Sequence, residues 1–210
     1  MIDVKKEALR YLGYRGKEPD EATAGLVDKG YDELSAVSHP RDCYRIVEKT
    51  AAESLLKGDG IAAHLAESSR VIFFAATLGS EADKLIRTAE IRNMAYALVL
   101  DALASAMTEA FCDALETRLH DEVGGFFTWR FSPGYGDYPI DIQPEIIRFL
   151  NADKLIGLTV TESNILIPRK SVTALIGVSD KEQSKGVRGC AACSMRGRCA
   201  FRSGGGVCRG

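Results

Sequence analysis

From Ser80 to Glu122 the chain contains neither proline nor glycine, and Ala, Leu, Met, Glu and Asp dominate its composition there. Such residues lose little freedom in a helix and keep every backbone donor, so the stretch predicts one long helix or two nearly continuous ones. Any fold of this chain has to be assembled around that rod. Along it Ile91, Ala95, Leu98, Ala102, Ser105 and Glu109 recur at steps of three or four residues, and Asp113, Glu116 and His120 prolong the line. They share one side of the helix, which starts apolar and ends charged. Leu103, Met107, Ala110, Phe111 and Ala114 make a separate apolar face that must pack on the body. Glu109 marks the change of character, and two readings are open there: the helix emerges into solvent, or Glu109 is an anion at a cleft edge, available to an ammonium or hydroxyl group.

The flanking sequence supplies the other elements. Residues 3–12 carry a short amphipathic helical pattern, and EPDEATAGLVDKGYDELSAV reads as a second helix with an acidic first turn, as the helix dipole favours. CYRIVEKTAAESL opens with alternating Cys43, Tyr44, Ile46 and Val47, which leaves strand and helix both open. RVIFFAATLG is β-branched, aromatic and ends at Gly79, so it reads as a buried strand. Beyond the rod, VGGFFTWRFSPGYGDYP suits an ordered loop, DIQPEIIRFLNAD a helix, and the runs 155–160 and 171–178 a pair of strands around a polar turn. Helices and strands are segregated rather than alternating, which predicts an α+β fold. Residues 1–185 form the domain in this reading, and 186–210 a Cys-rich tail.

Length and charge narrow the function. A chain of 210 residues, 46% apolar and 27% charged, can bury a core without crosslinks, and a formal charge of -2 gives no field suited to nucleic acid. The N-terminus is charged throughout, unlike a signal peptide, and no segment reads as a membrane span of roughly 20 uncharged apolar residues, so a cytoplasmic location is expected. There thiols stay reduced, and the six cysteines are packing residues, metal ligands or redox groups. Cys43 and Cys112 sit among apolar or helical residues and read as packed. No G-x-G-x-x-G follows a strand, and no phosphate-binding G-x-x-x-x-G-K-[ST], zinc-hydrolase H-E-x-x-H or nucleophile-elbow G-x-S-x-G occurs.

Three segments carry the chemistry. In RFSPGYGDYP, Pro133 fixes its own φ and restrains Ser132, Gly134 permits backbone angles or a close approach that a side chain would block, and Arg130 offers a planar fork suited to a carboxylate. Tyr135 and Tyr138 can stack. The same residues fit a tight turn with Arg130 paired to a nearby Asp or Glu. In LTVTESNILIPRKSV, Glu162 and Ser163 interrupt two apolar runs, consistent with a hairpin loop or with a partly buried carboxylate that has a specific partner. In the tail, Cys190, Cys193, Cys199 and Cys208 could close a tetrahedral zinc site or hold an iron-sulfur cluster, although the spacing follows no standard pattern and unligated thiols fit as well.

The helix segment TEAFCDALETRL, the R-x-x-P-G-Y of Arg130, Pro133, Gly134 and Tyr135, and the TES and PRKSV of LTVTESNILIPRKSV resemble, in that order, the C-terminal reactivation domain of cobalamin-dependent methionine synthase. The resemblance is specific over residues 102–173. It implies helices on a mainly antiparallel twisted sheet and a site for S-adenosylmethionine, with Arg130 and the backbone through Tyr135 holding the ligand and Glu109 a further polar contact. Ser132, Tyr138, Glu162 and Ser163 join the expected contacts. It implies, too, that the bound methyl donor remethylates oxidised cobalamin, after a one-electron reduction by another protein. The chain carries no methyl-acceptor, folate or cobalamin module, so the expected partner is a separate cobalamin-binding or methyltransferase protein in methionine biosynthesis. The apolar run 174–178 stands where the family tends to carry an aromatic residue. The cysteine tail is foreign to the family, and as an iron-sulfur site it could deliver the reducing electron. The alternative is a non-catalytic module that senses S-adenosylmethionine or another small molecule and holds a structural zinc in the tail.

Overall fold

A computed structural model of the chain describes residues 2–14, 16–182 and 197. The rod forms as two helices, α4 (Ser80–Arg92) and α5 (Met94–Val123), broken only at Asn93. Asn93 is extended, and its side chain accepts the amide of Tyr96 as the N-cap of α5. The N-terminal patterns become α1 (Val4–Tyr11) and α2 (Glu21–Val37), capped by Asp3 and Asp20. Gly30 lets α2 lie directly on α5, since a Cβ there would come 2.9 Å from Leu103.

The open question at Cys43 resolves as β1 (Arg41–Glu48). It pairs antiparallel with β2 (Arg70–Thr77), which pairs with β6 (Ser171–Ser179). A 3-10 turn (Lys49–Leu55) and the short helix α3 (Asp59–His64) join β1 to β2. With β3 (Phe126–Phe127) these strands make an antiparallel sheet in the order β1-β2-β6-β3 among the described residues. Alternation along β2 sends Val71, Phe73 and Ala75 to one face and Ile72, Phe74 and Ala76 to the other. The first set packs with α3, α6 (Gln143–Leu150) and α7 (Ala152–Ile156), the second with Cys112, Leu115 and Leu119 of α5. The fold is thus α+β, as the segregated pattern predicts.

Two expectations are corrected. The run 155–160 is not a partner of 171–178: Leu155 and Ile156 end α7, left-handed Gly157 stops it, and β4 (Thr159–Val160) pairs with β5 (Leu166–Ile167). Short apolar runs do not distinguish helix from strand, and β2 rather than the sequence neighbour claims β6. The face of α5 also differs. Thr108 and Cys112 are buried while Ala114 is exposed, and Ile91 and Leu98 are 84% and 59% exposed. The cause is that α5 serves two cores. Its first half packs among α1, α2 and α4, and its second half on the sheet, so no single stripe describes it. By length and composition α5 could cross a membrane, but here Ala97, Leu100, Leu103 and Ala106 lie in a core.

Candidate ligand site on α5 and the Arg130 loop

After β3 the chain runs on beside β6. The amide of Thr128 donates to Gly177, and Phe131 exchanges two 2.9 Å bonds with Leu175. Along this extended stretch alternate side chains face opposite ways. Trp129 and Phe131 join the core that contains α3 and α6, and Arg130 points to α5. There its Nη1 donates to Asp113 Oδ1 at 2.8 Å and to Glu116, and its Nη2 donates to Glu109. These carboxylates occupy successive turns of one helix face.

The Arg130 side chain is only 22% exposed. Burial works against its charge, but Glu116, Asp113 and Glu109 outweigh that and raise its pKa above the ordinary guanidinium value. Three carboxylates face one guanidinium, so the cluster keeps an excess of negative charge. Directly beneath, burial pushes the Cys112 thiol up to about 12; Arg130 opposes the shift, and the carboxylates reinforce it. One turn earlier on α5, Lys170 reaches the carboxylate of Asp101 at 2.7 Å and the hydroxyl of Ser105 at 3.0 Å. From α1, the Tyr11 phenol is pushed up by burial first and then by Glu7 and Glu109.

The loop after Phe131 closes on itself. Gly134, at φ 86°, donates its amide to Tyr138, the Tyr135 amide donates to Ser132, and Gly136 is also left-handed. Ser132 and Pro133 are half-buried, and Tyr135 is 43% exposed, edge-on to Trp129 and Phe131. Tyr138 does not share that exposure. It is 1% exposed, its hydroxyl donates to the carbonyl of Leu55 at 2.9 Å, and burial raises its pKa, so the ring the sequence offered for stacking is closed in the core.

Glu109, Arg130, Ser132, Pro133, Gly134 and Tyr135 therefore lie on α5 and the loop docked to it. Glu162 and Ser163 sit elsewhere, at the exposed tip of the β4–β5 hairpin, where Thr161 and Ser163 hydroxyls meet at 3.0 Å and left-handed Asn164 makes the turn. Of the two readings open for Glu162, the hairpin loop is the one found: Glu162 is exposed, and so is Ile165 nearby at 55%. No ion pair joins Glu162 to Arg130 among the described residues. Sequence reasoning did not assign Asp113, Glu116 or Tyr11 to the site. The first two were visible as a continuation of the Glu109 stripe. Cys43 and Cys112 are buried free thiols, as expected, while Cys190, Cys193, Cys199 and Cys208 lie outside the described residues. Among the described residues no group of His, Cys, Asp and Glu could hold a metal.

Chemically, a guanidinium flanked by surplus carboxylates complements a zwitterion or a cation with a carboxylate, since the fork takes the anion and the excess acid takes the positive group. The fold belongs to a known class: it matches a crystal structure of the MetH reactivation domain bound to AdoHcy with a TM-score of 0.58 at 18% identity, over 81% of this chain and 70% of that one. Residues 45–190 match the vitamin B12 dependent methionine synthase activation domain family, and the chain belongs to that family. The match takes in α5, the Arg130 loop, the hairpin and β6, and begins after α1 and α2. No curated protein matches the chain.

Proposed function

We propose that this protein binds S-adenosylmethionine between α5 and the Arg130 loop, and supports reductive remethylation of cobalamin held by a separate corrinoid or methionine synthase-type protein. The observation that carries the reading is Arg130, held over an acidic helix face within the family-matched segment. The ligand carboxylate would exchange with a side-chain carboxylate on the guanidinium, leaving Glu109 to accept the ligand ammonium. The excess acid also favours the sulfonium. The half-exposed Tyr135 ring offers a face to adenine or the sulfonium. Reduced cobalamin on the partner supplies the nucleophile for the methyl group, and this chain supplies placement and charge.

The reading assigns the protein to the cytoplasm, with a separate electron donor or a metal bound by Cys190, Cys193, Cys199 and Cys208. Iron, sulfide and zinc analysis of anaerobically purified protein decides between an iron-sulfur cluster, a structural zinc and neither. For the ligand, titration calorimetry with S-adenosylmethionine should give binding that Arg130→Ala abolishes; unchanged affinity in that variant would sink the site. Methyl-labelled S-adenosylmethionine with a reduced cobalamin protein should then yield labelled methylcobalamin. Binding without transfer would instead identify a sensing module.

A further inference from the structure

The loop that carries Arg130 is gripped at both ends by one short element. At the start of α3, the Gly60 amide donates to both carboxylate oxygens of Asp137, at 3.0 and 3.1 Å. At its end, His64 Nε2 lies 2.9 Å from the carbonyl of Trp129, the residue just before Arg130. A carbonyl only accepts, so Nε2 carries a proton. The imidazole also meets the Trp129 indole edge-on at 4.5 Å and lies 5.0 Å from Phe131. Tyr138 adds a third hold through Leu55, at the end of the 3-10 turn that leads to α3.

The sequence makes room for these contacts. A Cβ on Gly60 would fall 2.4 Å from Asp137 Oδ1, and one on Gly58 would fall 3.0 Å from the Asp137 carbonyl. Gly58 is the N-cap of α3 and has no side chain to cap it, so the Asp137 carboxylate fills that role from across the fold. Sheet pairing holds the chain only as far as Phe131. Beyond it, Ser132 to Asp137 has its own turn bonds, the Tyr135 ring against Trp129 and Phe131, and the α3 contacts.

We propose that His64 and Asp137 are positioning residues, which fix the loop through α3 so that Arg130 and Tyr135 meet the ligand preorganised. This rests on the reading of the loop as a ligand site. Neither residue touches the ligand; each acts through the backbone on either side of Ser132–Tyr135.

Trp129 is the only tryptophan in the chain, so its emission reports on the clamp directly. The experiment compares His64→Leu and Asp137→Ala, which remove donor and acceptor, with His64→Gln and Asp137→Asn, which keep one. Thermal melting, Trp129 emission, amide exchange of residues 130–138 and S-adenosylmethionine affinity are measured in each full-length protein. The first pair should shift the emission, speed exchange and weaken affinity roughly 10-fold while still melting cooperatively, and the second pair should recover most of the affinity. Wild-type affinity in His64→Leu and Asp137→Ala overturns the proposal. Should His64→Leu not fold, Asp137→Ala and Asp137→Asn decide it alone. If the wild-type protein binds no S-adenosylmethionine, the ligand reading falls by itself, and wild-type emission and exchange in both truncating variants would overturn the clamp independently.

Discussion

Arg130 reaches across 17 positions of sequence to α5, where its Nη1 donates to Asp113 Oδ1 at 2.8 Å. The bond matters because Asp113 is flanked by Glu109 and Glu116 on the same helix face, and like charges one turn apart repel by a few tenths of a kcal/mol per pair. The guanidinium turns that repulsion into a network in which both terminal nitrogens of a mostly buried cation meet carboxylates. The loop is thereby tied to the helix by charge as well as by the sheet.

Arg130→Ala should therefore destabilise the protein beyond its loss of ligand affinity. Removing the cation leaves three facing carboxylates without a counter-charge, and a loss of about 1–3 kcal/mol is expected. Urea unfolding at pH 7 measures it. An unchanged midpoint would mean that the network contributes nothing to the fold.

Removing one of the acids should have the opposite balance. Because negative charge is in excess, Glu109→Gln is expected to alter stability by no more than about 0.5 kcal/mol. Its S-adenosylmethionine affinity should nevertheless fall several-fold, since the ligand ammonium loses its acceptor. Calorimetry beside thermal melting separates the two effects, and equal affinity would exclude Glu109 from the site.

The buried thiols give a pH signature. Burial pushes Cys112 up to about 12 and Cys43 up to about 11, from an ordinary value of 9.0. A proton held more tightly in the folded state contributes stability that is present below pH 9 and is lost as pH rises through the folded values. Unfolding free energy should thus fall between pH 9 and about 12, and Cys112→Ala should make that fall shallower. In native protein at pH 8, peptide mapping should find both cysteines unmodified by iodoacetamide, with modification only in denaturant.

Two glycines should respond oppositely to alanine. A Cβ on Gly177 in β6 would sit 2.2 Å from Ser68 Oγ and 2.7 Å from Leu65, so Gly177→Ala should cost about 1–3 kcal/mol. Gly25, inside α2, has nothing within 4 Å, and Gly25→Ala should stabilise by about 0.5–1 kcal/mol through helix propensity. Denaturant midpoints of the two variants test both signs.

The helical rod, the buried strand β2, the turn at Arg130 to Tyr138 and the α+β class were all legible from residue order. Each depends on interactions between near neighbours: absent helix breakers, β-branched alternation, a proline beside glycines. The family order of α5, loop and hairpin was legible for the same reason, as short contiguous motifs.

Other features depended on which distant segments meet. Nothing local tells Tyr138 from Tyr135, yet one hydroxyl finds the Leu55 carbonyl in the core while the other ring stays 43% exposed. Nothing local assigns β6 to β2 rather than to the run before it, or makes α5 bury Cys112 in place of Ala114. The prolyl-glycyl stretch could be read alone as a turn with a guanidinium in it. That the guanidinium is clasped by Glu109, Asp113 and Glu116, and that α3 holds both ends of the loop, was decided only by tertiary structure. Backbone propensity acts over a few residues, whereas charge pairing and burial act through space between segments that the chain brings together only when it closes.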